Sequence, residues 1–209
     1  VEENLKFFAS IFKVSTEENY HLYKDIYQQI EPFKDRPAGK LSGGMKQKLA
    51  LSCALVHKPV ILFLDEPTTG VDAVSRREFW EMLSKLKDEG ITILVSTPYM
   101  DEAGRCDRVA LMQEGKILEI DSPEGVVKSY RNSLVAVKTS DMYRLLFDVM
   151  ECPRTIRAYR SGEFIHIEAE EEKEMMENIK TFLEEREHKN IVVKNMLPTV
   201  EDCFMALMK

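Results

Sequence analysis

Two short apolar segments constrain the fold of this 209-residue chain more than any other feature. VILFLD, residues 60–65, and ITILVST, residues 91–97, are almost wholly apolar until they end in polar residues. Such runs are typical of strands buried on both faces in a parallel sheet. The residues between them predict a polar turn and a helix over residues 73–88. Strand and helix therefore alternate, which predicts an α/β sheet layered with helices.

Helices are predicted on both sides of these strands. Apolar residues at helical spacing predict helices over residues 3–13 and 17–30, and we interpret the tyrosine stripe of the second as core rather than as a ligand-binding box. LSGGMKQKLALSCALVHKP predicts a helix from about Gly44 that stops before Pro59. PYMDEAGRC predicts another over residues 98–106.

The pattern changes towards the C-terminus. Two strands are predicted around a hairpin turn at Glu114-Gly115, and Ser122 caps a helix after them. Beyond residue 130, strands and helices follow in the order β-α-β-β-α-β of a ferredoxin-like unit. Its first hairpin turn is expected at Ser161-Gly162, and its second helix over residues 171–187, with an acidic solvated face.

Composition excludes some classes of function. The formal net charge of −7 disfavours direct nucleic-acid binding, and 44% hydrophobic residues suffice for a buried core. The four cysteines contain no C-x-x-C pair, so reduced thiols in a cytosolic protein are expected. No segment approaches 18 consecutive apolar residues, so a membrane role is expected to come through a partner. A start at Val1 without Met suggests a piece of a longer protein.

The segment Leu41-Ser42-Gly43-Gly44 is a candidate phosphate-binding element. Glycines let the backbone approach a ligand, serine offers a hydroxyl, and a helix N-terminus presents N–H groups and partial positive charge. The same four residues also suit a simple helix cap, and the segment alone does not decide between the two interpretations.

The first strand ends in a second candidate, the pair Asp65-Glu66. Two adjacent carboxylates point differently, so one can serve a hydrated Mg²⁺ while the other addresses a water molecule. Ligands of open α/β sheets bind at this edge of the strands. An ordinary acidic turn after a strand is the alternative.

The order of these features carries a family resemblance. LSGGMKQKLALSCALVHKP followed by ILFLDEPTTGVDAVSR resembles the signature helix, Walker B strand and D-loop of an ABC-type ATPase. Residues 99–126 and the ending LPTVEDCFMALMK are similar to nucleotide-binding subunits of drug-export or ABC-2-type transporters. The resemblance implies a partial P-loop NTPase domain over residues 1–130, with a helical part at 1–58 and a core part at 59–130. A ferredoxin-like α+β domain over residues 131–209 would follow.

The resemblance also implies roles for individual residues. The γ-phosphate of ATP held by a second nucleotide-binding domain would contact Leu41, Ser42, Gly43, Gly44 and Gln47. Asp65 would serve Mg²⁺, Glu66 would act as general base, and Asp72 would belong to the D-loop. The implied cofactors are ATP and Mg²⁺, and the implied partners are a membrane-spanning subunit and a second nucleotide-binding domain, identical or different. The implied location is cytoplasmic, on the inner face of the membrane.

Two departures from the family pattern limit these roles. The phosphate loop G-x-x-x-x-G-K-[ST] is absent, and no Q-loop glutamine is identifiable. We therefore expect a chain truncated before the Q-loop that is inactive alone. Pro98 stands where the family usually carries a histidine that contacts the γ-phosphate, although Pro98 also suits the first position of a helix capped by Thr97.

Two other functions remain open at this stage. One is a soluble ABC-type ATPase acting on ribosomes or DNA, against which the acidic balance and the exporter-like ending argue. The other is a regulatory, catalytically weak half of an ABC pair. Pro98 is the feature that keeps this second alternative open.

Overall fold

The computed structural model describes residues 1–169 and 172–208, without the side chains of residues 172–174. The chain forms two compact units, Val1–Tyr99 and Met100–Lys209. The two units meet after residue 99, whereas the sequence predicted a domain boundary after residue 130. That domain boundary stays a prediction.

The first unit consists of helices and a parallel pair of strands. Its elements are α1 (Glu2–Phe12), α2 (Tyr20–Tyr27), 3-10 turns at Glu31–Phe33 and Ala38–Lys40, α3 (Gly43–Leu55), β1 (Ile61–Asp65), α4 (Ala73–Asp88) and β2 (Thr92–Ser96). Helices α1 and α2 both pack against α3. Tyr23 and Tyr27 are buried and Tyr20 is half-buried, so the tyrosine stripe is largely core, as predicted.

The two strands pair in parallel, with Ile61 opposite Thr92 and Asp65 opposite Ser96. The prediction that both strands are buried on both faces is wrong. Leu62 is only 5% exposed, but Phe63 is 67% exposed and Leu94 58%. Helix α4 packs against β2, whereas no described element of this unit covers the outward apolar side chains.

The second unit contains a hairpin and a four-stranded sheet. Its elements are α5 (Met100–Ala103), β3 (Val109–Gln113), β4 (Lys116–Asp121), α6 (Pro123–Ser129), β5 (Ser133–Lys138), α7 (Met142–Met150), β6 (Thr155–Ser161), β7 (Phe164–Ala169), α8 (Glu172–Glu185), β8 (Val192–Asn195) and α9 (Val200–Leu207). The sheet order β6-β7-β5-β8, antiparallel throughout, confirms the predicted ferredoxin-like topology. Ser122 caps α6 as predicted, and Glu114-Gly115 forms the hairpin turn.

Several predicted boundaries differ from the structure, and the helix expected over residues 17–30 spans only Tyr20–Tyr27. The helix expected over residues 98–106 is only the single turn α5, because the Thr97 hydroxyl accepts a hydrogen bond from the Tyr99 N–H and forms a local turn around Pro98. Pro98 is therefore not the first residue of a helix. Strand β6 includes Ser161, so its hairpin turn is Gly162-Glu163, where Gly162 adopts a φ of 58°. Residue 171, at the start of the helix expected over 171–187, lies outside the described residues.

One face of the four-stranded sheet carries the main core of this unit. Helices α7 and α8 contribute Leu145, Val149, Ile179 and Leu183, which pack against β5 and β7 and are fully buried. Of the described acidic side chains of α8, those of Glu177, Glu184 and Glu185 are exposed, as predicted. On β7, His166 alternates with the core residues Ile165 and Ile167 and therefore points to the opposite face.

On that opposite face, Asp202 of α9 is the centre of a buried hydrogen-bond network. Asp202 is only 1% exposed, and its carboxylate accepts a hydrogen bond from the Tyr159 hydroxyl at 2.7 Å. His166, 4% exposed, lies with Nδ1 2.6 Å from the same carboxylate. The N–H and hydroxyl of Thr199 donate to it at 2.7 and 2.6 Å and complete a capping box at the start of α9. Val200 and Cys203 of the same helix pack in a second cluster with residues of α5, α6 and β3.

We expect this network to make stability depend on acidity. Burial alone would raise the pKa of the Asp202 carboxyl, but hydrogen bonds from His166, Thr199 and Tyr159 outweigh it and hold that pKa well below its usual range. A carboxyl with a depressed pKa in the folded state stabilises the protein above its unfolded pKa of about 3.9. This contribution is lost progressively as the pH falls below about 4.

The substitution Asp202→Asn should therefore lower the free energy of unfolding at pH 7 by about 3 kcal/mol, because it removes the charged acceptor that buried His166 and half-buried Tyr159 share. Urea denaturation between pH 3 and 7 measures the effect, and the difference between variant and parent should shrink at the acid end. Asp141→Asn, which keeps an acceptor at the exposed cap of α7, is the matched control. A constant difference across the pH range would contradict the assignment.

Candidate functional site

The two candidate carboxylates lie at the carboxyl end of β1, where β2 also ends. Asp65 is the strand partner of Ser96, and both are exposed. The Ser96 hydroxyl donates to Asp65 Oδ1 at 2.5 Å. The Glu66 N–H donates to the carbonyl oxygen of Ser96 at 3.0 Å and to its hydroxyl oxygen at 3.1 Å. Both acidic residues are thus attached to a single residue of the neighbouring strand.

Glu66 adopts an unusual backbone conformation. Its φ is 44°, in the left-handed region, which costs an L-residue with a side chain roughly 1–2 kcal/mol. Such residues cluster at functional sites, where the surrounding structure enforces them. The Thr69 hydroxyl donates to Glu66 Oε2 at 3.1 Å, which directs the exposed carboxylate. The structure therefore holds the main chain and the side chain of this glutamate in one arrangement.

The glycine-rich segment lies at the start of α3. Ser42 is the N-cap residue, and its hydroxyl accepts a hydrogen bond from the Met45 N–H at 3.3 Å, so the helix-cap interpretation is correct as far as it goes. Ser42 and Gly43 are nevertheless exposed, and Gly44 is half-buried. Leu41 is buried, and Gln47 is half-buried within the first turns of the helix. The exposed cap leaves the N-terminus of α3 accessible to an anion.

The same segment lies against the turn that leads into α4. A Cβ atom added to Gly43 would lie 3.7 Å from the carbonyl oxygen of Gly70, and one added to Gly44 would lie 3.6 Å from the Ser75 side chain. Asp72 caps α4 by accepting hydrogen bonds from the N–H groups of Val74 at 3.1 Å and Ser75 at 3.0 Å. Those bonds, that of Ser75 first, hold the pKa of the Asp72 carboxyl below its usual range. Asp72 therefore has a structural role at this turn, and its D-loop role stays a prediction.

Pro98 is exposed, in the bend two residues after Ser96. A proline supplies neither an imidazole nor a backbone N–H to a ligand at this end of β2. The hydroxyls of Ser96 and Thr69 do contact the two acidic residues. Sequence reasoning missed both. For Ser96 the available signal was its position at the end of the second strand, across from the acids.

The residues present fit part of a site for Mg²⁺ and ATP. Mg²⁺ in phosphate sites takes one or two carboxylates and otherwise water and phosphate oxygens, and the exposed Asp65 supplies a suitable carboxylate. Over the described residues, no group of three or more His, Cys, Asp or Glu could hold a metal ion by itself. The 209 residues contain no phosphate loop, and among the described residues the exposed N-terminus of α3 is a feature suited to a phosphate.

Comparison with known proteins gives consistent matches. A sequence model of the family described as ABC transporter matches residues 2–69. The probable multidrug ABC transporter ATP-binding protein YbhF of Escherichia coli (strain K12) is 39% identical over 171 residues, which are 80% of this chain and 30% of that protein. The Nod factor export ATP-binding protein I of Burkholderia lata is 41% identical over 132 residues, which are 62% of this chain and 43% of that protein.

A solved structure gives the same match. The structure of cbiO1 from Clostridium perfringens, described as part of the ABC transporter complex cbiONQ, aligns with a TM-score of 0.51 and 32% identity over 60% of this chain and 51% of that one. The present chain thus spans less than half of the two curated relatives and about half of this structural neighbour. In the part of the chain that the structure describes, no helix has both the length and the apolar character needed to cross a bilayer.

Proposed function

Because this chain belongs to the ABC transporter family of ATP-binding proteins, we propose that it forms part of the ATP-hydrolysing subunit that powers an exporter. The observation that carries the proposal is the pair Asp65-Glu66, held at the carboxyl end of β1 with Glu66 in a strained conformation. The export direction is supported by the relative that is described as a Nod factor export protein.

In the proposed reaction, a water oxygen attacks the γ-phosphorus of ATP and the bond to the bridging oxygen of ADP breaks. Mg²⁺, when bound, would neutralise charge on the phosphates. Asp65 would hold the hydrated ion, and Glu66 would orient the water and accept its proton. The Thr69 hydroxyl, donating to Glu66 Oε2 at 3.1 Å, would keep the carboxylate in position for this step.

The glycine-rich segment would act on a second copy of the site. Ser42 caps α3 and Gly43 and Gly44 begin it, so they form an exposed helix N-terminus that would complete the phosphate site of another nucleotide-binding domain. Leu41 and Gln47 would support this contact from the loop and the first turns of the helix. The proposal thus includes a paired nucleotide-binding domain, a membrane-spanning subunit and a position on the inner face of the membrane.

Replacing Glu66 by Gln tests the proposed base. The amide cannot accept the proton of the attacking water, so turnover of the natural-length protein with its membrane partner should fall by about 10² to 10⁴-fold. Steady-state ATPase assays measure the change, and Glu81→Gln, an exposed glutamate of α4, is the control. Unchanged turnover in the Glu66 variant would remove this residue from the reaction.

We also propose that Pro98 weakens hydrolysis, because it removes a side chain that could contact the γ-phosphate. Loss of one preorganised transition-state contact costs about 10² to 10³-fold in rate. Pro98→His in the natural-length protein should raise the ATPase rate by up to about 10² to 10³-fold. Pro98→Ala, which removes the ring without adding an imidazole, should not raise it. Equal rates in the His and Ala variants would show that the site does not use this contact.

Residues 1–209 alone should not bind ATP strongly. They lack a phosphate loop and its lysine, which supply most of the contacts to the β- and γ-phosphates in such ATPases. Calorimetric titration of these residues with ATP and Mg²⁺ should give no micromolar dissociation constant. Magnesium-dependent binding at micromolar concentration would refute this expectation and would indicate a second phosphate site in the chain.

A further inference from the structure

The side chain of Ser96 connects the two acidic residues of the site. Its hydroxyl has one proton to donate and lone pairs to accept with. The proton goes to Asp65 Oδ1 at 2.5 Å, and a lone pair accepts the Glu66 N–H at 3.1 Å. The result is a chain of two hydrogen bonds that runs from the main chain of Glu66 through Ser96 to the carboxylate of Asp65. Hydrogen bonds linked in this way strengthen one another.

The connection coincides with the strained position. Glu66 has a φ of 44°, and its N–H is held by both the carbonyl oxygen and the hydroxyl of Ser96. The parallel register places Ser96 directly across from Asp65, so a neighbouring residue of β2 would not reach the same atoms. Thr92, on the same face of β2 but at its other end, lies opposite Ile61 and provides an internal comparison.

We infer that Ser96 is a positioning residue, which sets the orientation of the Asp65 carboxylate towards Mg²⁺ and of the Glu66 main chain at the same time. This inference rests on the proposed function of the two acids. Asp65, Glu66 and Ser96 are all exposed, so a bond between them that served only stability would be weakened by water. A positioning role instead predicts a change in metal affinity, because partners that orient a metal ligand typically account for about 10 to 100-fold in affinity or activity.

Val and Thr at position 96 form a matched pair of variants. The two side chains have nearly the same shape and both suit a strand, but only Thr keeps the hydroxyl. Mg²⁺ is titrated by calorimetry into the natural-length protein with its membrane partner, loaded with the non-hydrolysable β,γ-imido analogue of ATP and then freed of unbound analogue, because free nucleotide itself binds Mg²⁺. Ser96→Val should weaken Mg²⁺ binding by about 10 to 100-fold, whereas Ser96→Thr should stay close to the parent. Thr92→Val, the same loss of a hydroxyl at the other end of β2, should change nothing.

ATPase assays complete the test. Ser96→Val should also lower the turnover number and raise the Mg²⁺ concentration for half-maximal activity, and Ser96→Thr should restore both. Equal Mg²⁺ affinities in the Val and Thr variants overturn the inference, whether both resemble the parent or both are weakened. If the Val variant does not fold, Ser96→Ala removes the same hydroxyl with a smaller side chain. An active Glu66→Gln protein would refute the proposed function separately, and the Mg²⁺ titration would still decide the role of the hydroxyl.

Discussion

The in-register parallel pairing of β1 with β2 is the constraint on which the site depends. It aligns the carboxyl ends of both strands, so that Asp65 lies across from Ser96 and Glu66 follows at the same edge. Helix α4 connects the two strands and packs against β2. A slip of one residue would turn every side chain of one strand to the other face and would separate the serine hydroxyl from the carboxylate. The chemistry at this edge is therefore determined by strand register as much as by the acids themselves.

The second unit depends on a different kind of interaction. Apolar packing covers one face of its sheet, whereas a buried carboxylate organises the other. Asp202 caps its own helix through Thr199 and contacts two strands through Tyr159 and His166. Because Asp202 and His166 are buried, these hydrogen bonds specify one position for α9 more strictly than apolar contacts would.

Local signals in the sequence predicted the elements well where one residue type decided the outcome. The helix expected over residues 73–88 has those bounds, because Asp72 caps its start and Gly90, with a φ of 85°, lies just beyond its end. The ferredoxin-like order was predicted from the succession of strand-type and helix-type spacings of the apolar residues. The helix expected around Pro98 does not form at its predicted start, because the Thr97 hydroxyl accepts a hydrogen bond from the Tyr99 N–H. Helix propensities do not include such a local bond.

Burial and side-chain contacts that depend on tertiary packing could not be predicted from local sequence signals. The exposure of Phe63 and Leu94 depends on which element covers the strand pair, and a run of apolar letters does not contain that information. The acids of the site were visible because they end a strand, but the hydroxyl of Ser96 became relevant only once the register was known. Asp202 likewise resembles an ordinary acid in the first turn of a helix, and its burial emerges only from the packing of α9.

At position 66 the backbone conformation favours one residue type and the proposed catalytic role requires another. Glycine adopts a φ of 44° without penalty, so selection for thermal stability alone would favour glycine there. Such a protein would keep both strands, their register and the main-chain hydrogen bond to Ser96, and would lack the carboxylate. A screen that scores only folding would therefore enrich variants that keep the fold and lack the proposed base, which is the stability–activity trade-off at a single residue.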